Sequence, residues 1–290
     1  MNVELSIITV NYNGLNDTCA LIDTIPFDEY SLEVIVVDNA SKEDEASVIS
    51  SRYPQVKVIR SDKNLGFAGG NNLGIEAAKG NYLFFINNDT LLPSSNIQSL
   101  IDRLKSSEKI GVVCPKIRFS WGDNPIQFAG YTPLSSITMR NRAIGFGEKD
   151  DGQYDTPHST PYAHGAAMMV KREVIKIAGQ MPEDYFLYYE ELDWSMMIRR
   201  AGYDIWYEPA FTIYHKESQT TGQNSPLRTY YVTRNRLLFA QRNILTPKKY
   251  LTYIYLIIVV GGRDILKYAS HGKISLIKAV IKGIYHFIKR

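Results

Sequence analysis

Along the first 115 residues, short runs of apolar residues alternate with polar stretches. The runs at 4–10 (ELSIITV), 32–37 (LEVIVV), 56–60 (VKVIR), 82–86 (YLFFI) and 110–115 (IGVVCP) are near-continuous rather than alternating. That is the pattern of parallel strands covered on both faces. Between them, segments 18–25, 46–53, 72–78 and 95–106 suit helices, with Ser41 as the expected cap of the second. Strand, helix, strand repeated four times predicts an α/β doubly wound sheet. Residues 116–165 are rich in Gly, Pro, Asn, Ser and aromatics without a sustained period, which predicts irregular loops or short antiparallel strands. The pattern sharpens again into a strand at 166–170, a helix at 190–201 ended by Gly202, and a strand at 203–207.

The last 65 residues read as helices. Segment 250–262 has 13 residues without a charge, about 20 Å as a helix, and falls short of a hydrocarbon core of about 30 Å. Further on, Ile277, Val280, Ile281, Ile284 and Ile288 recur at helical spacing, with Lys278, Lys282, Lys289 and Arg290 around them. Such a helix either lies in the plane of an anionic membrane interface or packs on the protein's own core. Charge weighs on this choice. The net charge of the 290 residues is only +3, yet residues 226–290 hold 13 Lys and Arg against one acid, Asp264, a balance of +12. An acidic body with a basic tail points the tail toward an anionic surface. Its apolar face and the lack of a recognised module favour lipid or protein over nucleic acid.

The length allows one large domain or two small ones. With 44% apolar and 22% charged residues, disordered and fibrous classes are excluded. Cys19 and Cys114 alone make no disulfide framework or thiolate zinc site. The opening MNVELS runs straight into a strand-like segment, so no secretory leader is expected and the cytoplasm is the default compartment.

Ligands of a doubly wound sheet bind outside the carboxyl ends of its strands. There this chain places Thr9-Val10-Asn11-Tyr12-Asn13, Asp38-Asn39 and Asn87-Asn88-Asp89. Any one of these polar groups reads equally as a turn or cap; three facing one crevice point to a site. The dinucleotide fingerprint G-x-G-x-x-G is absent after the first strand, and no P-loop pattern occurs. The run Gly66-Phe67-Ala68-Gly69-Gly70 matches neither, and close packing of a helix start explains it better than a phosphate cradle.

Five segments in order, SIITVNYNG, VVDNASKED, NLGFAGGNNLGI, FINNDT and FLYYEELDWSMMIRRAGYDIWYEPAFTIYHKES, resemble family 2 glycosyltransferases of GT-A fold. The rhamnosyltransferase-like and galactofuranosyltransferase-like members are the most similar. The resemblance spans about residues 3–240. It implies a Rossmann-like, mostly parallel sheet with helices on both faces and a helical C-terminal segment. It also implies a catalytic domain over 1–225, with a nucleotide-binding half (1–115) and an acceptor and catalytic half (116–225), followed by the basic amphipathic segment 226–290. The implied reaction is transfer of a sugar from a nucleoside-diphosphate donor with inversion.

The resemblance carries roles to particular residues. Asp38 matches the base-binding carboxylate, and a carboxylate accepts from the imino N–H of uracil, thymine or guanine but not cytosine. Thr9, Asn11 and Tyr12 line the same pocket, with Asn64, Gly66 and Asn88 expected on the nucleotide. Asn87-Asn88-Asp89 stands where the family carries its Asp-x-Asp motif; Asp89 and His215 are the expected ligands of a divalent Mn²⁺ or Mg²⁺, the first carboxylate being replaced by Asn87. Glu191 matches the base that deprotonates the acceptor, with Asp193 in reserve and Glu190 orienting hydroxyls; three acids at a helix start also suit the helix dipole. Arg199 and Arg236 are expected near the departing diphosphate, and His164 and Gly165 beside the acceptor. The expected donor is a dTDP- or UDP-sugar carrying rhamnose or a hexose, and the expected acceptor a growing glycan or lipid-linked glycan at the inner face of the membrane. A catalytically weakened sugar-nucleotide-binding protein, or another nucleotide-dependent α/β enzyme, are the alternatives.

Overall fold

The computed structural model describes residues 3–93, 96–217 and 225–290. Leu5–Asn11 (β1) is buried along its length apart from partial exposure at Val10, as a strand covered on both faces must be. It pairs in parallel with Leu32–Asp38 (β2) on one side and Tyr82–Ile86 (β4) on the other, and β2 pairs in parallel with Lys57–Arg60 (β3). Leu15–Ile22 (α1), Glu45–Arg52 (α2) and Gly66–Ala77 (α3) make the crossovers. The chain leaves β1 toward β2 and returns to β4 on its other side, so a crevice opens at the carboxyl ends of these strands.

Beyond β4 the pairing changes sense. After Thr90–Leu91 (β5) and Gln98–Lys105 (α4), Ile110–Phe119 (β6) leads into Ile126–Phe128 (β7) and His158–Ser159 (β8). Ala167–Lys171 (β9) then enters between β4 and β6, antiparallel to both. Arg172–Ala178 (α5) and Glu190–Arg200 (α6) precede Asp204–His215 (β10), which runs parallel to β6. The order is β3-β2-β1-β4-β9-β6-β10-β5, with β7 on β6 and β8 on β10. The sheet is therefore parallel in the first half and mixed in the second. Strand β9 is reached by the irregular excursion over 116–165, and an antiparallel neighbour needs no helical crossover.

Several expected boundaries shift: α1 lies three residues earlier than the expected 18–25, and β6 and β10 continue past 115 and 207 to Phe119 and His215. Helix α3 begins at Gly66, six residues before its expected start, because its glycines let it lie close on β1: a methyl group at Gly74 would come within 2.4 Å of Ile8 Cγ2. Helix α2 is capped by Asp44, which accepts from Ser47 N, whereas Ser41 Oγ donates to Asp38 Oδ1. Helix α4 starts at Gln98; the expected start at Ser95 lies outside the described residues.

The C-terminal residues form a helical layer that packs on α6: Pro226–Asn243 (α7), Lys248–Ile254 (α8), a π-helical stretch Tyr255–Gly261, Gly262–Ser270 (α9) and Ile274–Ile288 (α10). Met139, Tyr185, Leu237, Phe239, Leu256 and Val260 make a second core beneath it. Helix α10 packs on α7, where a methyl group at Gly283 would lie 2.9 Å from the Tyr230 carbonyl oxygen. The stripe expected on this helix is thus divided. Val280 is buried and Ile277 and Ile284 are half-buried, while Ile281 and Ile288 stay exposed. Among the described residues no helix is long and apolar enough to cross a membrane.

Candidate active site

The first cluster forms where β1 and β2 end. Their parallel register sets Asn11 beside Asp38, and Thr9 shares the face of Asn11 two residues earlier. Asp38 is fully buried. Its Oδ1 accepts from Asn11 Nδ2 (3.0 Å) and Ser41 Oγ (2.5 Å), while Oδ2 has no hydrogen-bond donor and only Arg60 Nε at 3.8 Å. The buried hydroxyl of Thr9 is likewise without a partner. Buried polar atoms are ordinarily satisfied, so these two are vacant positions for a ligand's donors. Asn11 Nδ2 also reaches Glu45 Oε2 (2.7 Å), and Tyr12 stands at the rim, 38% exposed.

A chain of hydrogen bonds links this pocket to the end of β4. Thr18 Oγ1 donates to Asn11 Oδ1 (2.7 Å), and Asn88 Nδ2 donates to Thr18 Oγ1 (3.0 Å). One residue on, Asp89 meets His215: β5 pairs antiparallel with β10, setting Thr90 opposite His215, and Lys216 N donates to the Asp89 carbonyl oxygen. Asp89 Oδ1 lies 3.1 Å from His215 Nε2, both side chains nearly buried. Gln127 Oε1, 2.8 Å from His215 Nδ1, accepts that ring proton and so leaves Nε2 with its lone pair toward the carboxylate. Two such groups at this separation need a positive charge between them. A proton serves; so does a divalent cation, since ligands at right angles with bonds of about 2.1 Å stand about 3 Å apart. Asn87 completes this end with its amide 3.4 Å from Nε2. Among the described residues no third His, Cys, Asp or Glu joins them, so a cation here would need further ligands from outside this set.

The third cluster opens α6. Glu190 and Glu191 carry carboxyls raised above the usual 4.5 by burial; for Glu190 the charge of Glu191 adds to it, and N–H groups of the helix start oppose it. Glu190 Oε2 is buried without a partner. Gly165 packs over the Glu191 stem, where a methyl group would sit in ordinary contact, 3.6 Å from Cγ and 3.9 Å from Cδ. The turn holding Gly165 joins the clusters. Ala163 N donates to Ser195 Oγ, which donates to the Glu191 carbonyl oxygen, and Asn87 N donates to the Ala166 carbonyl oxygen (2.9 Å). His164 stacks on Tyr131 with rings 5.9 Å apart, and burial, then the charge of His215, push it down to about 3, so it is neutral at ordinary pH.

The approach to α6 is strained. Phe186, Tyr188 and Tyr189 all have positive φ, uncommon for aromatic residues. Helix α7 holds this turn. The fully buried Asn235 donates through Nδ2 to the carbonyl oxygens of Tyr185, Leu187 and Tyr188, and Arg234 reaches those of Asp184 and Tyr185.

Some expected residues stand elsewhere. Asp193 is buried under Arg242 Nε (2.6 Å) and Asn243 Nδ2 (2.7 Å), an α6–α7 clamp. Arg236 Nε donates to the Tyr189 hydroxyl behind the acids, and Arg199 is on the exposed last turn of α6, about 12 Å along the helix from Glu191. Asn64 accepts from Gly66 N and Asn39 Nδ2 at the start of α3. Gly66, with φ of 73°, packs where any side chain would strike the Phe186 carbonyl. Sequence reasoning missed Gln127 and Asn235. Gln127 sits in the patternless region, and Asn235 is a lone amide between Arg234 and Arg236 with no motif around it.

The profile of glycosyl transferase family 2 matches residues 6–177. A low-salt glycan biosynthesis hexosyltransferase of Haloferax volcanii is 26% identical over 99% of this chain and 91% of its own length. The dTDP-rhamnosyl transferase RfbF of Shigella flexneri is 27% identical over 84% of this chain and 82% of its own. In fold, the chain resembles a mannosyltransferase from Pyrobaculum calidifontis solved with GDP-Man and Mn²⁺, with a TM-score of 0.61 at 16% identity over 99% of this chain and 88% of that one.

Proposed function

Because the chain belongs to glycosyl transferase family 2, we propose that it is an inverting hexosyltransferase that moves rhamnose or a hexose from a dTDP- or UDP-sugar to a hydroxyl of a growing surface polysaccharide or lipid-linked glycan. One observation carries the reading: the 163–166 turn is bonded to Asn87 on one side and to α6 on the other, so Glu191 and the Asp89–His215 pair border one crevice. Asp38 Oδ2 accepts the imino N–H of the base, with Thr9 beside it and Tyr12 at the rim. Asp89 and His215 would hold a divalent cation, Mn²⁺ or Mg²⁺, which when bound would neutralise charge on the leaving diphosphate.

Glu191 takes the proton from the acceptor hydroxyl as that oxygen attacks the anomeric carbon. Burial makes it a stronger base than an exposed glutamate, and Gly165 beside it adds no side chain to the acceptor's approach. His164, neutral, forms the stacked wall beside that approach. Asp193 and Arg236 act through packing, the first bracing α6 on α7 and the second holding Tyr189 at the head of the acids. A lipid-linked acceptor would place this work at the inner face of the cytoplasmic membrane.

Thermal stability with UDP, dTDP, GDP, CDP and NAD, each with and without Mn²⁺, tests the donor half. A ligand at 100 times its Kd adds about 2.7 kcal/mol. A Mn²⁺-dependent shift with UDP or dTDP is expected; a shift with NAD alone would overturn the reading. Glu191→Gln should lower transfer by on the order of 10²–10⁴-fold with the donor shift intact. Donor binding without any turnover by the unaltered protein would make it a sugar-nucleotide-binding protein instead.

A further inference from the structure

Helix α8, the π-helical stretch and α9 form one continuous rod over 248–270. Thr252, Leu256, Val260 and Gly261 seat one side of it on the C-terminal core. The opposite side is apolar and open: Leu251, Ile254, Ile258, Val259 and Leu266 are each more than half exposed, Leu266 at 73%. Leu251, Ile254 and Ile258 follow steps of three and four, Val259 adjoins Ile258 and Leu266 lies about two turns further, and the wider π-helical turn keeps them on one face. Single exposed apolar residues are ordinary on any protein, but five on one stripe mark a contact surface.

The charge around the stripe identifies the partner. Lys248, Lys267, Lys273, Lys278, Lys282 and Lys289 are exposed. The one acid of this region, Asp264, is bonded by the neighbouring Arg263 guanidinium. An apolar stripe about 22 Å long on helices that carry exposed lysines and a single, paired acid matches a surface with hydrocarbon below and phosphate above. We propose that this face, and not the divided stripe of α10, seats the protein on an anionic bilayer. Leu251, Ile254, Ile258 and Leu266 enter the acyl boundary while the lysines meet lipid phosphates. The proposal rests on the lipid-linked acceptor reading only for its purpose, because docking needs neither donor nor cation.

Co-sedimentation of the full chain with vesicles, without donor, metal or acceptor, is the test. Binding to phosphatidylglycerol-containing vesicles that weakens as salt rises is expected, with little binding to pure phosphatidylcholine. Ile258→Asn combined with Leu266→Asn should lower the partition coefficient at least about tenfold, and Lys267→Gln or Lys273→Gln about fivefold each. All these variants should keep the donor-induced thermal shift, which shows that they fold and separates failure here from failure of the catalytic reading. Equal partitioning of the double variant and the unaltered chain, or no preference for anionic lipid, would overturn the proposal. So would dimerisation that the double variant abolishes, since the face would then bind a second copy of the chain.

Discussion

Replacing Gln127 with leucine takes away the acceptor that determines which nitrogen of His215 carries the proton. The Nδ1–H of His215 is buried and held at 2.8 Å, so leaving it unpaired costs about 1–3 kcal/mol. The ring then loses the constraint that keeps Nε2 3.1 Å from Asp89 Oδ1. Loss of such an outer partner typically weakens a metal site by about 10–100-fold, which corresponds to about 1.4–2.7 kcal/mol. Both routes give the same range. The assay is a Mn²⁺ titration of the thermal shift at fixed UDP or dTDP. Gln127→Leu should move the Mn²⁺ midpoint upward by about 10–100-fold. Gln127→Glu keeps an acceptor in place and makes the imidazole more basic, so at pH 8 its midpoint should be no higher than that of the unaltered chain. If Gln127→Leu leaves the midpoint unchanged while His215→Ala abolishes it, Gln127 does not orient the ligand. If His215→Ala also changes nothing, the cation is not held by this pair.

Other outcomes follow from the same geometry. Asn87→Asp puts a carboxylate where an amide now stands 3.4 Å from His215 Nε2, and should lower the Mn²⁺ midpoint about tenfold or more in that titration. Glu190 has a folded-state value raised above 4.5, so its folded form binds a proton more readily than its unfolded form, and stability falls as pH rises from about 4.5 through the folded value. Glu190→Gln removes that loss: its Tm should exceed the unaltered chain's at pH 8, with the gain vanishing near pH 4. Asn235→Leu removes the donor shared by three carbonyl oxygens of the 185–188 turn, of which that of Tyr185 keeps Arg234; unfolding by urea should show a loss of about 1–3 kcal/mol. Transfer should drop as well, with the nucleotide-induced shift retained, because the turn carries Glu191 and not the base pocket.

The sequence by itself determined the elements whose residues answer to local rules. The apolar runs of β1, β2 and β4 are continuous because both faces are covered, and burial of that kind is written in composition alone. The positions of Asp38 and Asp89 at the carboxyl ends of β2 and β4 were legible because each follows closely on a continuous apolar run. Helix α6 showed both its acids and its glycine stop.

Other features depended on partners distant in the chain. The antiparallel entry of β9 is settled by pairing with β4 and β6, which no local pattern encodes. The glycines of α3 read as a weak helix start, yet their meaning lies in how closely Ile8 and Val10 approach. Asp193 and Glu191 are chemically near-equivalent two residues apart on one helix; only α7, which brings Arg242 and Asn243 to the first and not to the second, makes one of them a clamp between helices. Gln127 and His215 are separated by 88 residues and meet because β7 and β10 both pair with β6. The apolar stripe of 248–270 and that of α10 look alike as helical periodicities. Tertiary packing alone decides which is consumed by the core and which remains exposed, because burial belongs to the neighbours a helix finds and not to the helix.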